Sequence, residues 1–196
     1  MAQAIEETEL RQTPLYDLHL ELGASMVSLA GYAVPLHYRA GLAAEHDHAR
    51  SKAGLFDLSH MAQAHQAGDS RENFARAVIA VHGPEALSVI SAHAPEAAGL
   101  GLKSSARMEF DGIDCHVACV GETDTDEYEL TVPAGAAEAI ARALLADDRV
   151  EPIGLGARDR LRRLIEQQSC AEEQRMAITD SSLSIVPNPT HHKSKP

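Results

Sequence analysis

The spacing of apolar positions changes several times along the chain, and each change marks an element. After Thr13-Pro14, an N-cap followed by a first-helical-position proline, Leu15, Leu18 and Leu22 share one face of a short helix that Gly23 ends. The stretch MVSLAGYAVPLHY is extended in character and interrupted by Gly31 and Pro35, which predicts a strand and a loop. Ala-rich residues 40–53 predict a helix closed by Gly54, and GLFDLSHM predicts a strand running into a turn. Asp69-Ser70-Arg71-Glu72 carries capping-box chemistry for a helix start. VIAVHG reads as a buried strand, and Gly83-Pro84 opens a helix that continues into the early 90s. SSARMEFDGIDCHVACVG reads as a hairpin with a type I′ turn at Asp111-Gly112. YELTVP is a further strand, AGAAEAIARALLA a helix, and a last helix opens at Arg158. Strands and helices mixed in this way, with an Asp-Gly hairpin among them, predict an α+β fold: an antiparallel or mixed sheet with flanking helices.

The same pattern sets the expected domain organisation. Residues 1–12 read as a flexible leading segment and 13–164 as one folded domain. Residues 165–196 have weak periodicity, many turn formers and a basic end, and read as a mostly flexible tail.

Composition narrows the function classes. The chain has 196 residues, with four Tyr, three Phe and no Trp, so Ala, Leu, Ile and Val must build the core. Lys and Arg number 17 against 29 Asp and Glu, a formal charge of −12. Such a chain repels phosphate backbones and anionic lipid, so neither nucleic acid nor a membrane surface is an expected partner. No apolar run approaches the ~20 residues that span a bilayer. The acidic start lacks the apolar region of a signal peptide. Cys115, Cys119 and Cys170 are an odd, irregularly spaced set that suits reduced thiols, and the expected location is the cytoplasm.

Most templates for reactive sites fail. Of Glu45-His46-Asp47-His48, only residues 45 and 48 share a helix face, so the cluster reads as a solvated face and no metal is expected. In Cys115-His116-Val117-Ala118-Cys119 the two thiols share a strand face and His116 points away, which reads as buried structural cysteine. What remains is Tyr128, Glu129 and Arg158. Glu129 interrupts an apolar strand, and Arg158 follows the turn in PIGLGARDRLR, near a helix N-terminus where the macrodipole favours anions. The residues alone leave two readings open: a structural Glu–Arg pair or separate surface charges, and a binding site.

The motifs in order resemble the T protein family of the glycine cleavage system, the tetrahydrofolate-dependent aminomethyltransferases. The N-terminal likeness is TPLYDLHLELGASMVSLAGYAVPLHY, EHDHAR and GLFDLSHM. The C-terminal likeness is VIAVHGPEAL, FDGIDCHV, YELTVP and VEPIGLGARDRLR; together they cover about residues 13–162. The resemblance implies a partial folate-binding aminomethyltransferase fold, tetrahydrofolate as co-substrate, and the lipoylated H protein as partner. It implies a folate pocket that uses Glu129 and Arg158, with Met61 lining it. A pterin edge presents adjacent N–H donors that a carboxylate can accept, and a guanidinium suits the carboxylate-bearing folate tail or locks the Glu. In the family the one-carbon unit passes from aminomethyl-lipoyl H protein to folate and ammonia leaves.

The chain also departs from that pattern. The family has a long segment, with the catalytic aspartate and much of the central sheet, between the region matching GDSRENFAR and the VIAVHG strand. Here Arg76 runs straight into Ala77, so the catalytic residue is unknown. Val78, Ile79 and Val81 are then expected at an exposed sheet edge that invites self-association. Asp124 and Glu127 replace loop glycines, and left-handed backbone there would cost about 1–2 kcal/mol each. The family's C-terminal barrel domain has no match in the chain. Three readings stand: a shortened aminomethyltransferase, a non-catalytic folate-binding or interaction remnant, and an internally deleted product without its own function.

Overall fold

The computed structural model describes residues 10–62, 75–121 and 127–163. Met1–Asp159 forms one compact unit and Arg160–Pro196 a second; the architecture below is that of the first. The Asp69–Glu72 capping signal and residues 165–196 lie outside the described residues.

Two sheets carry the unit. The smaller has the order β1 (Arg11–Gln12), β3 (Tyr32–His37), β2 (Ser25–Leu29), with β1 parallel to β3 and β2 antiparallel to it. Arg11 and Gln12, expected in the leading segment, thus pair with Tyr32 and Ala33. MVSLAGYAVPLHY is two strands, not a strand and a loop. Ala30 (φ 50°) and Gly31 (φ 82°) both adopt left-handed backbone, the geometry of a two-residue hairpin turn. Pro35 is tolerated inside β3 because β1 reaches only Ala33, so no ladder bond on that side needs its missing N–H. Helix α1 (Tyr16–Glu21) lies between β1 and β2; Leu15 takes the N-cap position and no side chain caps it, so Thr13 does not play the expected part.

The larger sheet has six strands in the order β6 (Ser105–Phe110), β7 (Ile113–Cys119), β8 (Glu127–Pro133), β5 (Arg76–His82), β4 (Ala53–Asp57), β9 (Val150–Pro152). Every pairing is antiparallel except β4 with β9. The expected hairpin is β6–β7, with Asp111 (φ 49°) and Gly112 (φ 80°) at its tip. Helices α2 (Leu42–Ser51), α3 (Ser59–Ala62), α4 (Ala86–His93) and α5 (Ala137–Leu145) connect the strands. The α+β expectation is met, with one boundary moved: Gly54 does not close α2 but lies inside β4. A Cβ there would overlap the Ile153 side chain and crowd the Ala49 methyl, which is why glycine occupies the position.

One face of the large sheet is the core. Leu55, Ile79, Val81, Tyr128, Leu130 and Val117 alternate inward and meet Leu15 and Leu18, Val89 and Ile90 of α4, and Ile140 and Leu144 of α5. Each such aliphatic side chain stabilises the fold by about 1.5–3 kcal/mol on burial.

The expectation that β5 forms an exposed edge is corrected by this topology. β5 is central: it pairs with β8 on one side and with β4 on the other, and Ile79 and Val81 are fully buried. The strands that flank the missing segment, β4 and β5, are antiparallel neighbours in register Gly54↔His82 to Asp57↔Ile79. Leu58 N–H donates to the Val78 carbonyl (2.8 Å) and Val78 N–H to Ser59 Oγ (3.1 Å), extending the pairing past β4. A segment inserted between hairpin neighbours can be removed without parting them, so the sheet closes over the gap. Among the described residues no helix is long and apolar enough to cross a membrane.

Candidate functional site

The second face of the large sheet carries Glu129 among apolar neighbours. Cross-strand partners project to the same side, and the register places Phe56, Ala80, Glu129 and Ala118 in one row. Phe56 and Glu129 therefore stand on the same face, about 9–10 Å apart across two strand spacings, with only the methyl of Ala80 between them. Tyr128, grouped with Glu129 in sequence, faces the other way into the core, as strand alternation requires, and is 3% exposed.

The turn that delivers Arg158 is built by close backbone approach. A Cβ on Gly154 would overlap the Leu36 carbonyl, and one on Gly156 would meet the Leu42 side chain. These glycines let residues 153–156 lie against the end of β3 and the start of α2. Gly154 N–H donates to Glu45 Oε2 (2.9 Å), and Tyr38 N–H donates to Glu45 Oε1 (2.5 Å). The last helix begins at residue 155. Its first bond, Arg158 N–H to the Gly154 carbonyl (3.1 Å), places Arg158 at the end of the first turn.

From there the Arg158 guanidinium lies 5.7 Å from the centre of the Phe56 ring and its Nη1 lies 3.9 Å from Met61 Sδ, within cation–π range. Phe56 and Arg158 line a small cleft together with Val34, Pro35, Leu58, Ile153, Leu155, Asp57 and His60. Burial raises the Glu129 carboxyl above the usual Glu range and the neighbouring Glu127 adds to this, while the positive charge of Arg158 opposes it. Burial lowers His60; the Asp57 charge opposes that and the Arg158 charge reinforces it. A carboxyl raised and an imidazole lowered beside one cleft are the shifts that functional sites show.

The raised Glu129 makes a stability prediction. Stability linked to a raised carboxyl is fully present below the unfolded value, about 4.3, and is lost as pH rises through the folded value. Glu129→Gln is therefore expected to be more stable than the wild type at pH 7, with the gap closing below pH ~4. Urea unfolding at the two pH values checks this; an equal midpoint difference at both would refute it.

Of the three residues the sequence nominated, Arg158 and Met61 meet directly, and Glu129 shares their side of the sheet within reach of the Arg158 charge. Sequence reasoning missed Phe56, His60 and Glu45. Phe56 and His60 lie in the quoted GLFDLSHM motif, beside the residue selected from it. Glu45 was assigned to a solvated helix face, and this is corrected: Glu45 is 0% and His46 3% exposed. Helical periodicity groups residues 45 and 48, but which face is covered depends on the 153–156 turn, 109 residues away. Among the described residues no cluster of His, Cys, Asp and Glu is placed to hold a metal ion. Cys115 and Cys119 are buried thiols and His116 is exposed, as the alternation indicates. Glu127 lies in β8 and is not among the residues with positive φ, so the expected loop strain is absent there. Asp124 lies outside the described residues.

Chemically, an aromatic side chain and a guanidinium beside an apolar cleft are groups that can contact a flat, anionic heterocycle.

Comparison with known proteins identifies the family. The model of the GCVT N-terminal domain family matches residues 15–78 and 72–184. A probable mitochondrial aminomethyltransferase of Schizosaccharomyces pombe is 30% identical over 233 aligned positions, covering 79% of this chain and 60% of the relative. An aminomethyltransferase of Rubrobacter xylanophilus is 50% identical over 60 residues, 31% of this chain. The crystal structure of glycine cleavage system aminomethyltransferase T from Bartonella henselae superposes with a TM-score of 0.62 at 26% identity, over 76% of this chain and 61% of that one. The chain thus spans about 60% of the length of the first of these relatives. Since 79% of 196 residues is about 155, about 78 of the 233 aligned positions have no counterpart here. The family match breaks at 72–78, at the start of β5. With the fold, the order of motifs and the family model in agreement over most of its length, the chain belongs to the GCVT family of aminomethyltransferases.

Proposed function

We propose that the cleft between Phe56, Met61 and Arg158 binds tetrahydrofolate, with Glu129 accepting from the pterin edge. The reaction it serves is that of the glycine cleavage T proteins: transfer of a one-carbon unit from the aminomethyl-lipoyl arm of H protein to folate, with release of ammonia. One observation carries the reading. Three segments far apart in sequence, β4 with the α3 turn, β8, and the 153–158 turn, bring an aromatic face, a thioether, a cation and a raised carboxyl to one side of the sheet. Most of what the T-protein reaction asks of its protein is to hold the folate nitrogen in position. Burial raises the Glu129 carboxyl and lowers the His60 imidazole, and these are the groups proposed for any proton exchange there. The setting proposed is the cytoplasm, although relatives include proteins named as mitochondrial.

A second reading, folate binding without transfer, is favoured by the break in the family match at 72–78. No aspartate of the described residues takes the catalytic place that the resemblance assigns to the absent segment. Two measurements on the full chain separate the readings. Thermal stabilisation by tetrahydrofolate tests binding, and methylene-tetrahydrofolate formation from aminomethyl-loaded H protein tests transfer. Stabilisation with product supports the enzyme, stabilisation without product supports the binding module, and no stabilisation at millimolar folate refutes both.

A further inference from the structure

We infer that Glu45 is a positioning residue for Arg158, fixing the turn from which the guanidinium is presented to the folate cleft; this rests on the folate reading above. The Glu45 carboxylate is completely buried, and its two oxygens accept from two backbone amides in different segments beside the cleft. Tyr38 N–H, at 2.5 Å, directly follows β3, the strand that supplies Val34 and Pro35. Gly154 N–H, at 2.9 Å, lies between Ile153 and Leu155, which also line the cleft. The carbonyl of the same Gly154 accepts from Arg158 N–H, so the residue held by Glu45 is the residue on which the Arg158 turn is built. Each oxygen of this buried carboxylate thus has a backbone donor. Both of these donors lie in segments beside the cleft.

Glu45→Gln tests this while keeping shape and volume. One oxygen becomes an NH2 group that cannot accept, and it then faces an N–H donor. Amide hydrogen exchange is expected to accelerate about tenfold or more at Gly154 and through the first turn to Arg158. Amides of β5 and β8 in the same sample keep their wild-type rates. Tetrahydrofolate affinity is expected to fall about tenfold in Glu45→Gln but less than twofold when the change is added to Arg158→Ala, because coupled residues are not additive. Unchanged exchange at 154–158 would overturn the inference. So would equal acceleration across β5 and β8, which would make Glu45 a general fold residue, or losses that simply multiply. Wild-type protein that binds no folate, with exchange altered only at 154–158, would refute the folate reading and leave the positioning of Arg158 supported.

Discussion

Asp57→Ala is expected to destabilise the protein by about 3–5 kcal/mol, the cost of leaving one partner of a buried polar pair uncompensated. Asp57 ends β4 with its carboxylate buried, accepting from His19 Nε2 at 3.0 Å and from Ser59 N–H at 2.8 Å. His19 is 2% exposed, and its Nδ1 lies 2.9 Å from the buried Tyr38 hydroxyl, so the chain of polar contacts runs from α1 to the end of β3. Alanine at 57 strands the imidazole in the core with no alternative acceptor supplied by the change. Against a total stability of about 5–15 kcal/mol, this should lower the urea midpoint strongly or abolish folding at 37 °C. Burial pushes the Asp57 carboxyl up, but the His19 hydrogen bond and charge and the Ser59 bond outweigh it, and the group titrates below the usual Asp range. Stability from a lowered carboxyl is present above the unfolded value, about 3.9, and lost as pH falls through the folded value. The wild type should therefore lose this contribution below pH ~4, and Asp57→Ala should show a flatter acid limb. A loss under 1 kcal/mol at pH 7, or parallel acid limbs, would contradict this role.

Arg158→Ala is expected to weaken tetrahydrofolate binding about 10- to 150-fold, the equivalent of 1.5–3 kcal/mol for a hydrogen bond to a charged group. The fold should tolerate the change. Arg158 is half-buried beside the Phe56 ring and Met61, while Ile153 and Ala157, both fully buried, anchor the turn. Calorimetric titration together with the thermal midpoint of the unliganded protein separates the two effects. Arg158→Lys should recover little of the loss, because an ammonium reproduces the charge but not the planar two-donor geometry. Full recovery by lysine would reduce the role to simple charge attraction. A fall in unliganded stability as large as the fall in affinity would make Arg158 a structural residue.

Legibility differed between the fold and the site for a physical reason. The hairpin at Asp111-Gly112, α4 after Gly83-Pro84 and α5 are set by local conformational preference, and each stands where the pattern predicted. The β2–β3 turn was missed because Ala30 adopts left-handed backbone without being one of the residues that announce it. Gly54 looked like a helix terminator, while its reason is the Ile153 side chain packed against it from nearly a hundred residues away. Glu45 looked solvated because helix periodicity says which residues share a face and not what covers that face.

The sequence by itself determined the family, the α+β class, and Glu129, Arg158 and Met61 as the residues to test, since motif order and strand or helix period are properties of the chain alone. Only the tertiary structure decided that β4 and β5 are adjacent, so that the break at 72–78 leaves β5 paired on both sides. It also decided that Phe56 joins the cleft and that Glu45 bonds the backbone of Tyr38 and Gly154 beside it. Those outcomes depend on strand order and on contacts between distant segments, which local preference does not encode.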